Sequence, residues 1–177
     1  MSFNNLVTIK NNSNDNTDND DHIISCFTPV NKVSENLYIG SQLVYKYSQL
    51  LYHLRIRHII AIRITNLDEA EQVCEENAIK LYNLNTRHSQ FKKEFPILMN
   101  SVERIIQNIP EDEKVLICCR SGQHRSVAVV CGLLMKKYNV NYINAFEFIK
   151  DVRKCADSEY VVNYDDTKEE GEKWSLN

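Results

Sequence analysis

Two hydrophobic periods alternate along this chain and together predict an α/β layout. Short apolar runs read as strands at Leu37 to Ile39, His58 to Ile64, Ile79 to Leu84 and Val115 to Cys118. The second is β-branched and apolar, which suits a strand buried on both faces. Between the runs, apolar residues recur three and four apart. Tyr47, Leu50, Leu51 and Leu54 mark a helix over Tyr45 to Leu54, and Phe95, Leu98, Val102, Ile105 and Ile109 mark a longer amphipathic one ending before Pro110. Leu67 to Asn77 is a charged helix with Asp68, Glu69 and Glu71 in its first turns, where carboxylates suit the positive end of the dipole. Val127 to Met135 is apolar around its circumference, so it is expected to be the buried axis, with Gly132 permitting close helix packing. Asn141 can cap a last helix with Ile143, Phe146, Ile149 and Val152 inward. Strands alternating with helices imply an α/β three-layer sandwich with a central, mostly parallel sheet flanked by helices.

The pattern fades at both ends. Asn11 to Asp21 contains no aliphatic or aromatic side chain and cannot bury enough surface to offset its ordering entropy, so residues 1–22 are expected to be a disordered Asn/Asp-rich tail. Ile23 to Pro29 is an apolar patch expected to lie along the domain as an edge segment. Residues 23–156 form one expected domain. Residues 157–177, with Asp165, Asp166, Glu169, Glu170, Glu172 and the single tryptophan Trp174, read as an acidic solvated tail.

Composition narrows the functional classes. A chain of 177 residues suits one domain, and a net charge of −3 offers no bulk attraction for nucleic acid or an anionic membrane. Any charge that binds phosphate must be local. No run approaches the ~18 apolar residues of a membrane span, and the first residues lack the apolar core of a secretory signal. The six cysteines (26, 74, 118, 119, 131 and 155) show no CxxC or zinc spacing. A reduced cytoplasmic setting, with the nucleus compatible, is expected.

The local charge lies at one place. The strand ending at Cys118 runs into Cys119-Arg120-Ser121-Gly122-Gln123-His124-Arg125, and Ser126 opens the apolar helix. A helix start leaves amide N–H groups unpaired and carries positive partial charge, so a loop wrapped over it can cradle an anion. Gly122 gives the backbone its freedom to turn. Arg125 adds a rigid two-pronged donor matched to two phosphate oxygens, and the same field favours a thiolate on Cys119. Ser126 can hydrogen-bond the sulfur and help it leave. Phosphate would then be held by residues Arg120, Ser121, Gly122, Gln123, His124 and Arg125, with Cys119, Arg125 and Ser126 catalytic. Arg120 and His124 make the loop unusually basic: either both are simply solvated, or they bias the pocket toward substrates with more than one phosphate. Cys118 alternates to the far side of the strand as a small buried hydrophobe. Cys118, Cys119 and His124 match no zinc pattern, and no metal or cofactor is expected.

Cys119-x5-Arg125-Ser126, with glycine third after the cysteine, resembles the loop of cysteine-based phosphatases. The flanks narrow it to the dual-specificity branch: Val33-Ser34-Glu35-Asn36-Leu37-Tyr38-Ile39-Gly40-Ser41 looks like that family's opening strand, and Leu133 to Tyr138 and Ala145 to Lys150 resemble its two helices after the loop. The likeness covers about Asn31 to Lys154. It implies a phosphatase-like fold, a cysteinyl-phosphate intermediate, phosphorylated protein as substrate, and a monomer or weak dimer. Two departures stand out. Cys118 occupies a place where the family usually has histidine. The family's general acid is an aspartate on the loop after the strand ending Tyr82-Asn83-Leu84, yet no carboxylate lies between Leu81 and Lys93, and His88 stands there. A histidinium could make the same proton transfer; equally, His88 is an ordinary surface residue. Other readings stay open: a phosphatase of RNA 5′-phosphate ends or phosphoinositides, a rhodanese-like sulfurtransferase, and a phospho-binding pseudophosphatase.

Overall fold

The computed structural model describes residues 28–86 and 90–160. The tail expected over residues 1–22, most of the patch after Ile23, His88, and everything beyond Tyr160, including Trp174, lie outside the described residues. Five strands form one sheet: β1 (Val30–Lys32), β2 (Leu37–Ser41), β3 (Ile56–Ile62), β4 (Lys80–Leu84) and β5 (Lys114–Cys119), in the order β1-β2-β5-β3-β4. Only β1 runs antiparallel to its neighbour. The helices are α1 (Ser48–Leu54), α2 (Leu67–Glu76), α3 (Phe91–Gln107), α4 (Arg125–Tyr138) and α5 (Tyr142–Val152), with a 3-10 segment, Gln42–Tyr47, before α1. This is the mostly parallel α/β sandwich expected from the sequence.

Alternation along the central strands divides the core in two. Ile39, Ile60, Ile62, Ile117 and Cys119 face α3, α4 and α5, whereas Tyr38, Ile59, Ala61, Leu116 and Cys118 face α1, α2 and the 3-10 segment. Parallel strands covered on both faces need apolar residues at almost every position, and β3 and β5 have them. Helix α4 is buried over most of its surface, as its composition predicts. A Cβ built at Gly132 would lie 2.9 Å from Met99 Cε, so the glycine brings α4 close to α3.

Two expectations about the helices need correction. The segment over Tyr45 to Leu54 is not one α-helix: its first part is the 3-10 turn that buries Val44 and Tyr45, leaving Tyr47 exposed. Helix α5 begins under the Asn141 cap, whose side chain accepts the Asn144 N–H at 2.9 Å, but Ile143 is 49% exposed. The buried stripe runs instead through Ala145, Phe148 and Ile149, with Val152 partly covered, because the small Ala145 lets this face pack on α4. Strand β1 carries a single buried apolar residue, Val30, too short a signal to predict. Tyr160 is 7% exposed and its ring lies 4.6 Å from that of Phe91, so packing continues past residue 156.

Candidate phosphate-binding site

Strand register brings the site together. Ser41 and Ile62 both pair with Cys119, and Leu84 pairs with Ile62, so β2, β3 and β4 all end level with the cysteine. Loops at the carboxyl ends of parallel strands collect ligands in open α/β folds, and here the seven residues from Cys119 to Arg125 fill that edge and deliver the chain into α4.

Inside the loop, an amide and a hydroxyl converge on sulfur. The Gly122 N–H donates to Cys119 Sγ at 3.3 Å, and Ser126 Oγ lies 3.3 Å from the same atom. Cys119 is 1% exposed and Ser126 0%. Both contacts lie at the start of a fourteen-residue helix, the end that carries positive partial charge. Arg125, the first residue of α4, donates from Nη1 to Arg63 O at 3.3 Å, while its buried Nε has no partner among the described residues. That nitrogen is held without an acceptor beside the cradle, where an anion could supply one.

The other loop residues divide by role. Arg120 and Ser121 are exposed, and Ser121 Oγ accepts the Gln123 N–H at 3.3 Å. Gln123 O accepts the Asp157 N–H at 2.8 Å, so the segment after α5 is stitched to the loop's outer side. His124 Nε2 lies 3.6 Å from a Glu159 carboxylate oxygen and 3.9 Å from one of Asp157, and its ring stands edge-on to Tyr160 at 6.1 Å. Carboxylates of the chain itself thus face this ring, which weakens the expectation that His124 makes the pocket more basic. Cys118 faces the other side of the sheet, 3.7 Å from the Tyr45 hydroxyl, and burial pushes its thiol up to about 12. It stays a neutral hydrophobe beneath the loop. A hollow of about 790 Å³ at the opposite end of the sheet, around Leu37, Val115 and Tyr138, shares no residue with the loop.

One positioning residue carried no signal in the sequence. Arg153, the residue following α5, is 0% exposed. Its Nε donates to Gly122 O at 2.7 Å, and its Nη1 donates to Thr28 O at 3.1 Å and to Asn31 Oδ1 at 2.5 Å. By holding the Gly122 carbonyl outward, it leaves the same residue's N–H facing the sulfur. Gly122 has φ +72°, and a Cβ there would sit 2.5 Å from the Arg153 guanidinium and 2.7 Å from Gly40 O, so only glycine fits. A lone arginine closing a helix reads from sequence as a solvated cation near the dipole's negative end, and only the tertiary fold buries it. Arg153→Met would strip one buried and two partly buried acceptors of their donor and is expected to lower the unfolding free energy by about 3 kcal/mol. Urea denaturation checks this, and a loss below about 1 kcal/mol would mean that water replaces the guanidinium at little cost.

Comparison with known proteins agrees with the geometry. The family profile described as "Dual specificity phosphatase, catalytic domain" matches residues 37–160. A protein of Acanthamoeba polyphaga mimivirus named "Putative tyrosine-protein phosphatase" is 32% identical over 72 residues, which is 41% of this chain and 34% of that protein. One from Amsacta moorei entomopoxvirus with the same designation is 43% identical over 48 residues, 27% of this chain and 29% of that protein. The matched stretches thus span about a third of the length of these relatives. Among solved structures, a leucine rich repeat and phosphatase domain containing protein from Entamoeba histolytica superposes with TM-score 0.60 at 17% identity, covering 85% of this chain and 99% of the other. At that identity the superposition speaks for the fold.

Proposed function

Because the chain belongs to the dual specificity phosphatase catalytic-domain family, we propose that it hydrolyses phosphate monoesters, with phosphotyrosine and phosphoserine or phosphothreonine of proteins as substrates, through a cysteinyl-phosphate intermediate. The observation that carries this reading is the convergence of the Gly122 N–H and the Ser126 hydroxyl on Cys119 Sγ at the start of α4. In the first step Cys119 thiolate attacks phosphorus in line, the S–P bond forms, and the ester oxygen leaves with a proton. Arg125 and the loop amides hold the non-bridging oxygens as charge redistributes. Water then attacks phosphorus, the S–P bond breaks, and orthophosphate leaves while Ser126 donates to the returning thiolate. The names of the viral relatives support a phosphotyrosine substrate.

The test is a turnover panel of aryl phosphate, phosphopeptides, inositol lipids and RNA 5′-phosphate ends, with Cys119→Ser protein as blank. Phosphopeptide turnover well above the last two classes supports the proposal, and the reverse order replaces the substrate class. Tight phosphopeptide binding without phosphate release would make the chain a binding module instead.

The donor of the leaving-group proton is assigned by sequence position alone, to His88. Proton transfer contributes about a hundred- to ten-thousandfold, and it matters most for poor leaving groups. His88→Ala is therefore expected to depress alkyl phosphate turnover far more than aryl phosphate turnover, and equal losses on both would remove His88 from the mechanism.

A further inference from the structure

A second arginine stands beside the site from outside the loop, its carbonyl bonded to Arg125. Arg63 follows Ile62, the β3 residue paired with Cys119, so its backbone leaves the sheet level with the sulfur. Two hydrogen bonds pin that backbone: the Arg63 N–H donates to Leu84 O at 3.0 Å, and Arg63 O accepts from Arg125 Nη1 at 3.3 Å. Its φ of 49° is a left-handed conformation that side chains rarely adopt and that persists where the surroundings enforce it. The residue is partly exposed, yet one end of its guanidinium is buried. Its Nη1 is buried and has no hydrogen-bond partner among the described residues, as is true of Nε of Arg125. Burial and the Glu159 carboxylate raise the Tyr160 pKa, whereas the positive charges of Arg125 and Arg63 both oppose that rise, so one hydroxyl senses both guanidinium groups.

A buried N–H without an acceptor is costly unless a ligand or water supplies one. Two such donors on neighbouring arginines call for more acceptor oxygens, and more negative charge, than one isolated phosphate brings to Arg125 and the loop amides. Building on the phosphatase reading above, we propose that Arg63 binds a second phosphoryl group adjacent to the reacting one, so that among phosphorylated substrates the site favours those carrying two neighbouring phosphates. Arg63 is then a specificity residue, touching substrate beyond the bond that breaks.

The probes are inorganic pyrophosphate and orthophosphate, titrated calorimetrically into the full chain. One charge-assisted hydrogen bond corresponds to about tenfold in affinity or more, so the wild-type protein is expected to prefer pyrophosphate by at least about tenfold. Arg63→Gln should bring the two affinities to within about twofold, and Arg63→Lys should recover part of the preference. Arg57→Gln removes the same charge from an exposed position of β3 outside the loop and should keep most of it. A wild-type preference below threefold, an Arg63→Gln ratio equal to wild type, or an equal fall in Arg57→Gln, which would signal diffuse charge, each overturns the proposal. Should Arg63→Gln fail to fold by circular dichroism, Arg63→Lys decides, and a ratio unchanged there counts against the proposal. Binding is read without turnover, so an absent preference beside intact Cys119-dependent hydrolysis defeats the paired-phosphate site alone. Loss of that hydrolysis strikes the underlying reading.

Discussion

Cys119→Ser protein is expected to turn over aryl phosphate at least about ten-thousandfold more slowly than wild type, a barrier rise of ~5 kcal/mol. The cause is the nucleophile itself. The Gly122 N–H and the Ser126 hydroxyl, each 3.3 Å from Sγ, are placed to stabilise an anion, and the helix start adds its field. Sulfur is intrinsically the stronger nucleophile, whereas a serine hydroxyl remains neutral and weakly nucleophilic at pH 7, so the loop of the variant no longer presents a competent nucleophile. The phosphate cradle is largely kept, since Arg125 is anchored on the Arg63 carbonyl and a serine hydroxyl can still accept the Gly122 N–H. Orthophosphate or vanadate affinity should therefore stay within about threefold of wild type while turnover vanishes, a pattern that places the loss in the chemical step. Acid-quenched wild-type protein should carry phosphate in a thioester-like, acid-stable linkage that the serine variant lacks. Wild-type rates in the serine protein would end the covalent scheme.

How much of this was legible beforehand follows from where the signal resides. β3 and β5 are apolar at nearly every position, so their burial between two helical layers could be read directly, and the Cys119 to Arg125 spacing fixed which strand end matters. Signals shared between faces misled. Ile143 is apolar yet exposed, because the contact of α5 with α4 is set by the small Ala145, a residue that a hydrophobicity pattern undervalues. Residues whose importance is created by the fold left no trace in the sequence. Arg153 is separated from Gly122 by thirty-one positions and from Asn31 by one hundred and twenty-two, and Arg63 stands at a strand end that only parallel pairing brings level with Cys119. Both are arginines in a chain with twenty-one basic residues, so their type alone could not distinguish them from solvated cations. His124 shows the converse. Its place in the loop suggested added positive charge, but Asp157 and Glu159 reach it from beyond α5.

Arg125→Lys tests whether shape or charge does the work at the helix mouth. The substitution keeps a cation at the first residue of α4, so a purely Coulombic role predicts a small loss. The structure argues otherwise. Arg125 spends Nη1 on the Arg63 carbonyl at 3.3 Å and still presents a buried Nε with no partner among the described residues, a division of labour that requires several donors in one plane. A lysine ammonium is a single strongly hydrated point on a flexible stem, and it cannot bind the Arg63 carbonyl and two phosphate oxygens in the same geometry. Removing one preorganised donor from developing transition-state charge costs about a hundred- to thousandfold, and the lysine variant loses both the fork and its anchor. The expected result is a fall in kcat/KM for aryl phosphate of about a thousandfold, or ~4 kcal/mol, borne mainly by kcat, because the equatorial oxygens are gripped most tightly as charge shifts between the attacking and leaving atoms. Steady-state kinetics separate the two constants. A loss under about tenfold, or one confined to KM, would mean that positive charge alone suffices and that the guanidinium's geometry contributes only to ground-state binding.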